Sequence, residues 1–172
     1  PYSIDNTLDF YADAQFTHAC SLDHIVFEFD ADVRGMKGGT DSARDRWVIT
    51  QDNAEVFLKR SKVLGKGFTP LGVVQGWSPD SKAEAAARLQ KMGYKYLAIG
   101  GLVPLRPTQI HQCLQAIRGR ISPSTKLHLL GFAKADSIQE FTGFGITSFD
   151  STSPLIRAFK DEKANYYSEG SD

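Results

Sequence analysis

Five short apolar runs in the chain end in residues able to meet a substrate: Asp30, Gln75, the pair Gly100 and Gly101, Gly131, and Asp150. Asp150 carries the most reactive group of the set. It closes the run Ile146-Thr147-Ser148-Phe149, and Ser151-Thr152-Ser153-Pro154 follows as a helix start. A carboxylate at a strand tip that faces a helix N-terminus stays ionised, because the helix dipole favours the anion. Such a carboxylate can attack a glycosidic carbon and form a covalent intermediate. An isolated strand-end Asp is more often a cap for the next helix, so its company decides the reading.

That company is polar or bare. Gln75 offers both a donor and an acceptor, which suits the edge of a planar heterocycle, or equally the bracing of a loop. Gly100, Gly101 and Gly131 allow a ligand to approach the main chain, or allow positive φ in a tight turn. Asp30, near Glu28 and Asp32, could accept from ring N–H and amino groups or simply form an acidic loop. Alternation along a strand would put Glu28 and Asp30 on one side. Arg157 and Lys160 could hold a phosphate backbone or lie on a solvated helix face. His18, His24, His111 and His128 have no partner at metal-ligand spacing, and packing is their expected role. Lys37-Gly38-Gly39 lacks the spacing of a phosphate loop.

The elements that must position these groups alternate. Strands are predicted at Ile25–Phe29, Leu71–Val74, Tyr96–Ile99, Leu127–Leu130 and Ile146–Phe149. Helices are predicted at Asn53–Leu64, Pro79–Met92 (with Ser78 as cap), Pro107–Ile117, Ala135–Phe141 and Pro154–Phe159. Gly35–Asp45 reads as a loop, and the tail from Ala164 is polar. Five β–α units imply a parallel sheet with right-handed crossovers. An incomplete barrel and an open sheet both fit, with strand ends from Gln75 to Asp150 spaced 26, 30 and 19 residues apart. The domain outline is one unit over 1–172: a leading helix and loop (1–21), barrel units (22–160) and a polar tail (161–172).

Composition bounds the partners. The 172 residues suffice for one core, and the formal net charge of +0 supplies no general field for polyanions. No apolar run is long enough for a membrane span, and no secretory signal is visible. Cys20 and Cys113 are the only cysteines and form no CxxC, so the segment itself offers neither a disulfide framework nor a zinc site. A cytoplasmic location is expected.

In order and spacing these residues resemble the queuine and archaeosine tRNA-guanine transglycosylases. The motifs are Val74-Gln75-Gly76, Gly100-Gly101-Leu102, Leu129-Leu130-Gly131 and Phe149-Asp150 followed by small residues and Pro154. Phe29-Asp30-Ala31-Asp32 falls where the family has Phe-Asp-Glu. The likeness runs from Leu22 to Lys160. Val103-Pro104-Leu105 after the glycine pair, and Ser151-Thr152-Ser153-Pro154-Leu155-Ile156-Arg157 after Asp150, lean toward the DNA-directed 7-deazaguanine branch. The resemblance implies a (β/α)8 TIM-type barrel, of which this chain covers roughly the last five units. It implies Asp150 as nucleophile at C1′ of a guanosine nucleotide. Asp30, Gln75, Gly100, Gly101, Leu102, Leu130 and Gly131 would hold the base, with Leu130 on a ring face and Arg157 and Lys160 near the backbone. It implies exchange of guanine for a preQ0-type 7-deazaguanine in DNA, or in tRNA as the alternative, with protein partners from a DNA-modification system. It also implies a zinc whose ligands are not in this segment, and a second catalytic Asp outside it, so that the chain reads as part of a longer enzyme. A phosphate-binding barrel lyase or isomerase, and a non-catalytic subunit, are the competing readings. Phe132 and Asp150 oppose the first and the retained Asp150 the second.

Overall fold

The computed structural model describes residues 3–132 and 135–160. Helix α1 (Ile4–Asp13) leads into the three-residue strand β1 (His18–Cys20). There follow α2 (Asp41–Arg60) with a 3-10 turn at Ser61–Leu64, β2 (Thr69–Val74), α3 (Pro79–Met92), β3 (Tyr96–Ile99), α4 (Pro107–Arg118) and β4 (Lys126–Leu129). A 3-10 segment (Ala135–Phe144), β5 (Ile146–Phe149) and α5 (Ser153–Lys160) complete the order. The expected helix Ala135–Phe141 is thus 3-10 and longer, and the tail from Ala164 lies outside the described residues.

All four strand pairs are parallel, and the spatial order β1-β2-β3-β4-β5 repeats the chain order. A doubly wound open sheet reverses direction at a switch point; a sequential order does not. Right-handed crossovers then place every helix on one face, and the sheet curls into a half-barrel. The side chains divide accordingly. Val74, Leu97, Ile99, Leu127 and Leu129 pack with Leu89, Leu114 and Ile117 of the helices in the main core. Leu71, Val73, Tyr96 and Ala98 form a second cluster on the concave face. Period-2 alternation carries that concave set on to Gln75 and Gly100 at the strand tips.

Local chemistry explains the boundaries. Ser78 caps α3 through the Ser81 backbone N–H, Pro79 opens the helix, and Gly93 at φ 119° ends it. Gly72 is a glycine because a Cβ there would lie 3.0 Å from the Tyr94 ring and 3.1 Å from Leu89.

Two expectations are corrected. The first strand is His18–Cys20, within the segment read as leading loop, and Ile25–Phe29 is irregular. Apolar and aromatic content made Ile25–Phe29 look like a strand. It instead crosses the strand tips, with Val26 turned in and Phe27 77% exposed. The side-by-side placement of Glu28 and Asp30 on a strand therefore falls. Helix α2 begins at Asp41, twelve residues before Asn53, where a loop was expected up to Asp45. Thr40 caps it through the Ala43 N–H, and its inner face runs Ala43, Trp47, Thr50, Gln51, Ala54, Phe57. Two polar residues on that face hide the helical period.

Candidate active site

The tips of β2, β3 and β4 and the crossing segment 23–29 enclose a cleft of about 410 Å³. Ile25, Phe27, Val103 and Leu130 give it apolar walls; Gln75, Gly100, Gly101 and Gly131 bring polar edge and bare backbone. Six of the residues singled out from sequence thus converge, counting Asp150 at the rim.

Gln75 is 2% exposed and both ends of its amide are engaged. Its Nε2 donates to Asp23 Oδ2 at 2.7 Å, and its Oε1 accepts from the Val26 N–H at 3.3 Å. It therefore fixes the crossing segment and presents the Asp23 carboxylate to the cleft. Gly100 is required by this amide, since a Cβ there would lie 2.5 Å from Gln75 Nε2. Gly101 at φ 69° adopts the left-handed conformation that other residues rarely take.

Asp150 stands at the rim beside Gly131. Its Oδ1 accepts from the Gly131 N–H at 2.9 Å and meets His128 Nε2 at 3.0 Å. Gly131 holds φ 60°, which aims that N–H at the carboxylate. His128 Nδ1 is 2.6 Å from Ser148 Oγ, which is 2.5 Å from the Tyr96 hydroxyl. One proton arrangement satisfies this chain with a neutral ring: Tyr96 donates to Ser148, Ser148 donates to Nδ1, and Nε2–H donates to Asp150. Asp150 Oδ2 has no hydrogen bond to any described residue, and the side chain is 52% exposed. Among the described residues, only one of the two carboxylate oxygens is held.

Two neighbours refine the electrostatics. Glu28, also on the cleft wall, accepts from both the backbone N–H and the hydroxyl of Thr40, which hold its carboxyl below the usual range. Burial, reinforced by the negative charges of Asp23 and Asp150, pushes the Cys20 thiol up to about 12. Cys20 is therefore no nucleophile at neutral pH.

Other expected site residues sit elsewhere. Asp30 is exposed outside the cleft; its Oδ1 accepts from the Asp32 N–H at 2.9 Å, and its own N–H donates to Trp77 O. Leu102 is 1% exposed and packs in the main core. Lys160 is exposed at the end of α5, and the Arg157 side chain lies outside the described residues. Sequence reasoning missed Asp23 and His128. The Ser21-Leu22-Asp23-His24 step would have marked Asp23 had β1 been placed at His18–Cys20. His128 had no sequence signal, because its link to Asp150 arises from the β4–β5 register, His128 opposite Ser148.

No three His, Cys, Asp or Glu side chains among the described residues converge to hold a metal, so the zinc implied by resemblance has no fitting donor set there. None of the described helices is long and apolar enough to cross a membrane.

Parallel strands in sequential order, helices on one face and a polar cleft at the C-terminal strand tips define a partial TIM-type barrel with its pocket where such barrels bind substrate. Over 168 residues, 97% of its length, the chain is 39% identical to a DNA-guanine transglycosylase of Salmonella montevideo. That similarity agrees with the resemblance of its motifs to the tRNA-guanine transglycosylases. The chain spans 40% of that relative's length. No family model matches it.

Proposed function

We propose that the protein containing this chain is a transglycosylase that exchanges guanine in DNA for a 7-deazaguanine base. The observation that carries this is the split use of the Asp150 carboxylate beside the cleft residue Gly131: Oδ1 is held by Gly131 and His128, while Oδ2 meets no hydrogen-bond partner among the described residues. The target nucleotide leaves the base stack, since its C1′ is otherwise shielded. The guanine ring enters between the apolar walls, with Leu130 against one face. Asp23, braced by Gln75, accepts from the ring N–H and amino group; the backbone at Gly101 meets the carbonyl edge. Asp23 takes the role that resemblance suggested for Asp30.

Asp150 Oδ2 attacks C1′ as the C1′–N9 bond breaks, and guanine departs with the electron pair and takes up a proton. The ester at C1′ is then displaced by N9 of the incoming base, which loses its proton, and Asp150 is regenerated as a carboxylate. The phosphodiester backbone stays intact throughout. Lys160 and Arg157 would contact the phosphate backbone, and the cell's DNA-modification proteins are the expected partners.

Similarity to a DNA-guanine transglycosylase favours DNA over tRNA as the substrate. The test is to incubate the full-length protein with labelled 7-deazaguanine and either duplex DNA or tRNA. Label is expected in DNA; label in tRNA alone would overturn the substrate assignment, and label in neither would overturn the activity.

A further inference from the structure

Lys82 has no role in the chemistry above, yet its position is costly. It lies in the first turns of α3, is 1% exposed, and makes no ion pair with any described residue. A cation near a helix N-terminus opposes the dipole, and a buried ammonium without a carboxylate loses its hydration uncompensated. Burial accordingly lowers the Lys82 amine to about 8. Among the described residues the amine donates one hydrogen bond, to Gly100 O at 2.7 Å.

That carbonyl belongs to the Gly100–Gly101 peptide in the cleft wall. In a trans peptide the C=O and the following N–H point in opposite directions. With the Gly100 carbonyl drawn back to Lys82, the Gly101 N–H points the other way, and it meets no acceptor among the described residues. The positive φ of Gly101 belongs to the same arrangement, and a Cβ there would come within 3.2 Å of Lys82 Nζ. A cation on the carbonyl oxygen withdraws electron density through the amide, so the N–H becomes a stronger donor.

We infer that Lys82 is a positioning residue: it locks and polarises the Gly100–Gly101 peptide so that the Gly101 N–H selects a ring carrying a carbonyl acceptor. The inference rests on the base-exchange reading and specifies which feature of the base that site recognises. The test compares binding of guanine and of 2-aminopurine, which lacks the carbonyl, to the full-length protein and to Lys82→Met. Guanine should bind about tenfold more weakly to the variant, the difference between a charge-assisted and an ordinary hydrogen bond, with 2-aminopurine unchanged. Lys82→Gln keeps a donor to Gly100 O without the charge and should lose guanine affinity by a smaller factor. It carries the same comparison alone if Lys82→Met does not fold. If the unaltered protein binds guanine and both ligands weaken equally in the variants, or neither weakens, Lys82 is only structural and the proposed function stands. If the unaltered protein binds neither guanine nor a 7-deazaguanine, both readings fall.

Discussion

The floor of the cleft and its rim are built on opposite principles. At the tips of β2 and β3, Gln75 and Lys82 are almost wholly buried, and Gln75 has both ends of its amide engaged. At the tips of β4 and β5, Asp150 is half exposed, and only one of its carboxylate oxygens has a partner among the described residues. A buried, interlocked network has few alternative geometries, which suits reading the pattern of a flat ring. A nucleophile has the reverse requirement: it must be aimed without being saturated. Under the proposed function the floor recognises the base and the rim reacts, which should appear as a separation between effects on binding and effects on turnover.

The largest effect on the floor should come from Asp23. Asp23→Asn keeps the shape and removes the charge, and base affinity should fall about 10- to 100-fold, the range for losing a hydrogen bond to a charged group. Asp30→Asn should change it less than about twofold, since Asp30 lies outside the cleft. Direct titration of the base onto both variants checks the pair; the opposite ranking would return the carboxylate role to Asp30.

A smaller effect, on the other side of the comparison, is expected at His128. Removing its hold on Asp150 should lower kcat about tenfold and leave KM for the base nearly unchanged. His128→Gln, which can still donate to Asp150 while losing Ser148, should recover part of that loss, whereas His128→Ala should not. Parallel loss of base binding would show that floor and rim are not separable.

Much of this arrangement was legible where local signals agreed. The predicted spans of α3, β3 and β5 coincide with those observed. For α3 the reason is visible at both ends, in Ser78-Pro79 and Gly93. Gln75, Gly100, Gly101, Leu130, Gly131 and Asp150 were found because each stands at a strand tip. The failures have two physical causes. β1 is a three-residue strand of His, Ala and Cys, too short and too weakly apolar to outweigh the run Ile25–Phe29. Misplacing it moved the pocket carboxylate from Asp23 to Asp30. His128 and Lys82 were invisible for another reason: their partners, Asp150 and Gly100 O, lie 22 and 18 residues away and meet them only through strand register and helix packing.

The central claim is that Asp150 is the group that bonds to the sugar. Full-length protein incubated with guanine-containing DNA, then denatured, should carry a covalent DNA adduct that maps to the peptide containing Asp150. Asp150→Asn should give no adduct and no base exchange while retaining guanine binding. An adduct that survives the substitution, or one that maps to another residue, would contradict the account.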